Sequence, residues 1–379
     1  MSTLKLQTFS GTHYEMGVQQ GRANRELLHQ TIEQIPNFVE IKSMKPQLIP
    51  MSLFLLLARR KATKTLEHDI VHYYPKQAER LKGIAEGAGV DLSWVFFAQS
   101  MELTVDFGAS LVHVPACTSL GFTPQRTTTK ETIIGKNWDY PNHFSPLLLT
   151  CHTQPEGCYQ TLGCTMAPLP GMLDGMNEYG LTVTHNTVFP TDKPTCFAPN
   201  SLMLQEMLET CQNTEEAVHF IMKAKHASGA LLMVGDARGD IRTVEMSCQH
   251  AAIREPLDNQ IMNTNHYHLV EMQKDEIPHN AVFSEKALKE VVGKRLHESS
   301  EERLKRAQDL LTTKNIDEAT ITSVLRDHGL DNRPSNLTIC QHGEYVSTLR
   351  SVFFYPNRRT IKVLYGNPCQ NTYTEFAFS

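Results

Sequence analysis

The sequence predicts an α+β protein, built as layered antiparallel sheets with helices on their outer faces. Three observations predict it. The first hundred residues read as mostly helical, and past Leu111 the pattern turns to strand-like runs. Those runs follow one another across turn-rich excursions, as antiparallel strands do. Helical pairs interrupt them near residues 200–224 and 299–327, available to cover the outer faces.

In order, residues 1–9 read as a short strand, and a helical pattern runs from His13 to about Phe38. Gly17 and Gly21 lie four apart in that pattern, a spacing that lets another element pack closely. Pro46 and Pro50 break the chain before a helix over 51–68. A third helix covers Pro75 to Ala88, with Gly87 and Gly89 as its stops, and Asp91 caps a helix through Met101. Strands are predicted at Thr118–Phe122, Thr132–Trp138, Leu147–His152, Gln160–Ala167 and, after the glycine-rich turn PGMLDGMNEYG, Leu181–Val188. Helices follow at Asn200–Cys211 and Thr214–Ala224, the second capped by Thr214. Strands resume at Ala230–Gly235, Ile241–Ser247, Ala251–Glu255 and Gln260–Asn265. Helices over Ser299–Leu311 and Asp317–Asp327 precede strands at Leu337–Gln341, Val346–Tyr355 and Thr360–Tyr365.

Charge and cysteine usage exclude several classes. Over 379 residues, enough for one large domain or two, the net charge is −5 with both signs mixed along the chain. No basic tract tracks a phosphate backbone, so nucleic acid is not an expected partner. The nine cysteines are odd in number and lack a framework spacing, which fits reduced thiols and a cytoplasmic location. No basic leader with an apolar core opens the chain. The most apolar run, Met51 to Ala58, falls well short of the roughly 20 residues a membrane span needs, so a soluble protein is expected.

Chemistry concentrates in ACTSLGF and GKNWDY, residues 116–140. Two strands joined across TPQRTTTKE would lie antiparallel and bring Lys136, Asn137 and Asp139 back beside Cys117. A thiol next to a cation, an amide and a carboxylate is a candidate nucleophile, although most cysteines are simply small buried hydrophobes. Four other polar stretches stand out: His185-Asn186; Asn263, Asn265, His266 and His268; Ser299 or Ser300 as a helix cap with Arg303 behind; and Asp327-His328 with Asn336. Each has a plain alternative in turn chemistry, and Arg303 could be a surface charge paired with Glu301 or Glu302. His266 and His268 share a strand face without a carboxylate or cysteine at that spacing. Cys151, Cys158 and Cys164 lack the short pairing of zinc sites, so no metal or other cofactor is expected.

The ordered set ACTS…GKNWDY, GMNEYGLTVTHN, MNTNHY, SSEERL and TLRSVFFYP…YGNPC, with GTHYEMGVQQGRA near the start, resembles the isopenicillin-N acyltransferase-like family. These acyl-CoA:6-aminopenicillanic acid acyltransferase relatives are N-terminal-nucleophile cysteine hydrolases, related to choloylglycine hydrolases and penicillin V acylases. The resemblance implies a four-layer αββα sandwich, with residues 1–116 as a helical prosegment and 117–379 as the catalytic domain. It also implies that the chain cleaves itself between Ala116 and Cys117, freeing an α-amine that serves as base for its own thiol. By the same similarity Asp139 holds that amine, the Asn186 amide stabilises the oxyanion, and Asn265 and Arg303 surround the nucleophile. Lys136 departs from the arginine of choloylglycine hydrolases and cannot offer its planar fork. Bile salts and penicillin V are therefore poor candidate substrates. The expected activity is hydrolysis of a linear, non-peptide C–N bond through a Cys117 thioester. The alternatives are acyl transfer from an amide or thioester donor to an amine, and a non-catalytic binding protein of the same fold. A Cys–His protease based on His113 or His185 lacks the sequence pattern expected around its cysteine.

Overall fold

In the computed structural model, which describes residues 4–106, 116–285 and 287–378, strand β1 (Leu6–Gly11) leads into helix α1 (His13–Ala23). Thr12 starts that helix. Its hydroxyl accepts from the Glu15 backbone N–H, and the Glu15 carboxylate accepts from the Thr12 N–H, satisfying two orphan donors reciprocally. The single helix expected to Phe38 is instead broken into α1, α2 (Arg25–Gln34) and, past a 3-10 turn, α3 (Val39–Met44). The break falls at Asn24, whose amide bonds Gln7 of β1 and the Gln20 carbonyl. Its side chain competes for the backbone and ties the helix end to the sheet.

Helices α4 (Met51–Tyr73), α5 (Pro75–Ala88) and α6 (Leu92–Asp106) follow, α4 running beyond the expected 68. Pro75 opens α5, where its missing N–H costs nothing. Gly89 closes it in the left-handed region at φ 68°. The Asp91 carboxylate accepts from the Ser93 N–H at 3.0 Å, the cap expected for α6. Helices α1 and α5 cross on facing glycines: a Cβ on Gly17 would sit 2.2 Å from the Arg80 carbonyl oxygen, and one on Gly83 2.1 Å from that of Tyr14. Gly87, expected as a helix stop, belongs to this crossing too, its Cβ position lying 2.2 Å from the Val18 oxygen.

Strands β2 (Ala116–Phe122), β3 (Ile133–Pro141), β4 (Leu148–Pro155), β5 (Thr161–Met166), β6 (Asp174–Asn177) and β7 (Thr182–Val188) precede helices α7 (Asn200–Thr210) and α8 (Thr214–Lys223). The stretch read as a glycine-rich turn therefore contains a strand, β6. Asn213, not Thr214, caps α8, accepting from the Glu216 N–H. Then come β8 (Gly229–Gly235), β9 (Ile241–Met246), β10 (Ala251–Arg254), β11 (Gln260–Asn263) and α9 (Val270–Gln273), followed by α10 (Glu298–Leu310) and α11 (Glu318–Leu325). The chain closes with β12 (Val346–Tyr355), β13 (Thr360–Tyr365) and β14 (Thr374–Ala377). The strand expected at Leu337–Gln341 is irregular backbone. Ser299 and Ser300 lie inside the first turn of α10 and do not cap it, since the cap position is His297.

The strands form an eight-stranded sheet in the order β1-β4-β5-β6-β7-β8-β9-β10 and a six-stranded sheet in the order β11-β2-β3-β12-β13-β14. β1 joins β4 in parallel. The two-residue period assigns the layers. Val352 and Phe354 of β12 pack between the sheets with Ile134, Leu162 and Met233. Phe353 and Tyr355, one residue on, pack with Leu120, Phe122, Ile321 and Leu325 beneath α10 and α11. On the far side, Val183, Leu232 and Val244 meet Met16, Leu81 and Leu204 of the helices over the larger sheet. The result is the αββα sandwich. Within the segment 1–116 expected as a prosegment, the described residues 4–106 supply the edge strand β1 and much of one helical layer. They are bonded into the rest, His13 to Glu209 at 2.8 Å and the Gln20 amide to the Ala167 and Leu169 carbonyls. Among the described residues no helix is long and apolar enough to cross a membrane.

Candidate active site

The β2–β3 pairing sets Ala116 opposite Asp139, Cys117 opposite Trp138, Thr118 opposite Asn137 and Ser119 opposite Lys136. The expected return of the polar cluster beside the cysteine is therefore present. Pleating then sorts these residues by face. Ser119 points between the sheets, where its hydroxyl donates to Asn186 Oδ1 of β7 at 2.6 Å, and Cys117 shares its parity. Thr118, Asn137 and Asp139 face the α10–α11 layer. The Asn137 amide is spent there on the Leu325 and Ile339 carbonyls, away from the thiol face.

Arg303 reaches up from α10 and binds the strand that bears the cysteine. Nη1 donates to the Cys117 carbonyl and to Thr118 Oγ1, and Nη2 donates to Asn265 Oδ1 at 2.8 Å. That same Asn265 oxygen accepts the Cys117 backbone N–H at 2.9 Å. At 1% exposed, Arg303 is no surface charge. Ser300, one turn before it, is a residue the sequence reading treated only as a cap. Its hydroxyl accepts the Asn265 N–H at 2.6 Å and lies 2.7 Å from His266 Nδ1. Asn186 is fully engaged in the intact chain, because its amide donates to the Asn263 and Thr264 carbonyls.

Asp139 accepts the Thr348 hydroxyl at 2.5 Å through Oδ1, while its Oδ2 is buried with no hydrogen-bond partner among the described residues. An irregularity in register between Thr348 and Arg350 makes this possible. Two residues apart on a regular strand would share a face. Here Thr348 lies under the helices with Asp139, while Arg350 turns between the sheets to bind Asp174. Asp174 also holds Lys136 Nζ at 2.5 Å, and that ammonium donates in addition to the His185 carbonyl. Thr348, Arg350 and Asp174 are absent from the sequence-derived site. Asp174 lay in the stretch read as a turn, and a local irregularity between Thr348 and Arg350 leaves no mark in a two-residue pattern.

A sequence model of the acyl-coenzyme A:6-aminopenicillanic acid acyl-transferase family matches residues 126–370. The chain belongs to that family. The match includes Asp139, Asn186, Asn265 and Arg303, and Cys117 stands just ahead of it. Among solved structures, the chain is similar to the Caenorhabditis elegans ortholog of N-acylethanolamine-hydrolyzing acid amidase, at 16% identity over 64% of this chain and 93% of that one, with a TM-score of 0.42. It is also similar to a variant of conjugated bile acid hydrolase from Clostridium perfringens, at 14% identity over 69% and 97%, TM-score 0.45. A third is penicillin V acylase from Agrobacterium tumefaciens, at 15% identity over 66% and 83%, TM-score 0.38.

In this acyl-transferase family member, burial governs the site's electrostatics. Burial pushes the Cys117 thiol up to about 11, with Lys136 pulling the other way, so in the intact chain it is a neutral thiol at pH 7. Burial likewise lifts Asp139 to about 7, against the opposing pull of Arg303 and the Thr348 hydroxyl. An additional cation beside Oδ2 would reverse that shift. Burial holds His185 and His266 down at about 4 and His268 at about 2, so all three are neutral near pH 7. His266 and His268 stack at 5.0 Å. His113 lies outside the described residues.

Two cavities border this centre. An apolar one of about 100 Å³ is lined by Trp138, Tyr140, Phe144, Leu173, His185 and side chains of the N-terminal helices such as Phe97. An open cleft of about 690 Å³ is lined by Ala116, Asn265, Arg303, Gln341 and Tyr345, so it reaches the Ala116–Cys117 junction.

Proposed function

We propose that this protein is an autoprocessed cysteine amidohydrolase that opens a linear, non-peptide C–N bond through a thioester on Cys117. One observation carries the reading: a buried carboxylate oxygen on Asp139, without a partner among the described residues, whose strand position is paired with Ala116, the residue that a cut before Cys117 would release. A freed α-ammonium at Cys117 would find Asn265 Oδ1 already accepting from that nitrogen and Asp139 Oδ2 as a second acceptor.

In the first stage the Cys117 thiol attacks the Ala116 carbonyl carbon. The C–N bond breaks as the C–S bond forms, and the amide nitrogen takes a proton to become the α-amine. Water then splits the Ala116 thioester. In turnover the α-amine, whose ordinary pKa is near 8, accepts the thiol proton as sulfur attacks the substrate carbonyl. That proton passes to the leaving amine, and water completes hydrolysis. Arg303 fixes the Cys117 carbonyl and Asn265 together, so the nucleophile sits on a strand held from behind. The Asn186 amide serves the oxyanion after leaving the Asn263 and Thr264 carbonyls. Lys136, held by Asp174, supplies positive charge on the thiol's side of the sheet. The apolar cavity next to Trp138 suits an apolar group of the substrate.

Because residues 1–116 supply β1 and a packed helical layer, the two pieces stay associated after the cut. A second reading, acyl transfer, draws on the family's own description and on the open cleft at Ala116, which has room for an amine acceptor. It shares every step up to the thioester.

Intact-mass measurement tests the proposal. Wild-type protein should give two chains, ending at Ala116 and beginning at Cys117, which co-elute under native conditions and separate only on denaturation. Cys117→Ala should stay a single chain. An uncut wild-type chain that still hydrolyses amides would refute the free-amine mechanism.

A further inference from the structure

Away from the nucleophile, three chain segments converge on four side chains. His328 follows α11, Cys340 and His342 lie two apart on the backbone leading into β12, and Cys369 sits in the turn after β13. Their ligand atoms all lie within 4.8 Å of one another. We propose that these residues form a tetrahedral Cys2His2 site for a structural zinc ion.

The geometry is that of a coordination shell. With zinc–sulfur bonds of about 2.3 Å and zinc–nitrogen bonds of about 2.0–2.1 Å, a tetrahedron sets two sulfurs about 3.8 Å apart and sulfur from nitrogen about 3.5 Å. The Cys340 and Cys369 sulfurs are 3.7 Å apart, and His342 Nε2 lies 3.4 Å from the first and 3.1 Å from the second. The His328 and His342 rings stand 5.0 Å apart and nearly perpendicular, so each can present a nitrogen to a shared centre. His328 Nε2 is buried and has no hydrogen-bond partner among the described residues. Two thiolates and two imidazoles at tetrahedral spacing select zinc over harder cations. Four protein ligands leave no open position, which assigns the ion a structural part.

The frame that carries the ligands is built by the backbone. Cys340 N–H donates to the Asp327 carbonyl at 3.0 Å, bringing the Cys340 segment against His328. The Asn367 amide donates to the Gln341 carbonyl, bringing in the Cys369 turn. The same short stretch supports the candidate active site. The Ile339 carbonyl takes the Asn137 amide, and the Gln341 N–H donates to Thr348 Oγ1 at 2.9 Å, the hydroxyl that binds Asp139. An ion at this place therefore clamps the wall on which Asp139 rests, without touching substrate.

The test uses the full chain, purified from zinc-supplemented cells, with elemental analysis and cobalt substitution of chelator-stripped protein. The expected result is about one zinc per chain and a cobalt spectrum with thiolate charge transfer and tetrahedral visible bands. Cys369→Ser and His342→Ala should each lose both signals, whereas Cys196→Ser, in the core over the other sheet, should keep them. If Cys369→Ser fails to fold by circular dichroism, His328→Ala makes the same comparison from the segment that follows α11. A wild-type protein without bound zinc or a cobalt band would overturn the proposal. So would metal content that survives these substitutions, or a Cys340–Cys369 disulfide in the non-reduced mass.

Discussion

Asp139 makes the uncut chain pay a pH-dependent penalty that cleavage should reverse. In the intact protein its carboxyl is lifted from about 3.8 to about 7, chiefly by burial. The folded chain thus binds a proton that the unfolded chain releases first. Stability from this group is complete below about pH 4 and is lost as the pH rises through 7. A shift of about three pK units corresponds to at most about 4 kcal/mol. The perturbation is Asp139→Asn in a Cys117→Ala background, which cannot cut itself and keeps the amine locked in a peptide bond. Chemical denaturation of both proteins across pH 4 to 8 reads the effect. Relative to the parent, the Asn variant should gain up to about 4 kcal/mol between those limits, because only the parent carries the buried charge. In the cut wild-type enzyme an α-ammonium beside Oδ2 favours the carboxylate, so its stability should no longer fall over that window. A parent-minus-variant difference that is flat with pH would mean that Asp139 titrates normally, and the argument for an awaiting cation partner would fail.

Removing the Asn186 side chain with Asn186→Ala should lower turnover by roughly a hundred- to a thousand-fold with little change in KM, as for other single oxyanion donors. The cut fraction must be measured in the same preparation, and a rise in KM at intact turnover would assign Asn186 to ground-state binding. Gly83→Ala should destabilise the protein by about 1–3 kcal/mol or more, read as a lower denaturation midpoint, because its Cβ would meet the Tyr14 carbonyl at 2.1 Å. A neutral result there would mean that α1 and α5 can separate at no cost.

Hydrophobic period and turn chemistry are local properties, and they carried most of the architecture. The sorting of Val352 and Phe354 from Phe353 and Tyr355 into two different cores is already written in their alternation. Motif order over the whole length carried the family; of the residues it singled out, Cys117, Asn265 and Arg303 share hydrogen bonds in the structure.

What the sequence could not disclose depends on contacts between distant segments. The helix from His13 breaks because Asn24 finds Gln7, and Gly87 is a packing residue because α1 lies over it. Asn137, two residues from Asp139, is turned to anchor the Leu325 and Ile339 carbonyls. Thr348 reaches Asp139 only because the register slips between Thr348 and Arg350. His328, Cys340, His342 and Cys369 carry no zinc-like spacing, since spacing reports ligands from one hairpin or helix and these arrive on three segments. By itself the sequence determined which residues prefer helix, strand or turn, and which motifs the chain carries, because those follow from each residue and its near neighbours. Only the tertiary structure decided which buried polar atoms found partners and which, like Oδ2 of Asp139, found none among the described residues, because that depends on groups brought together across hundreds of residues.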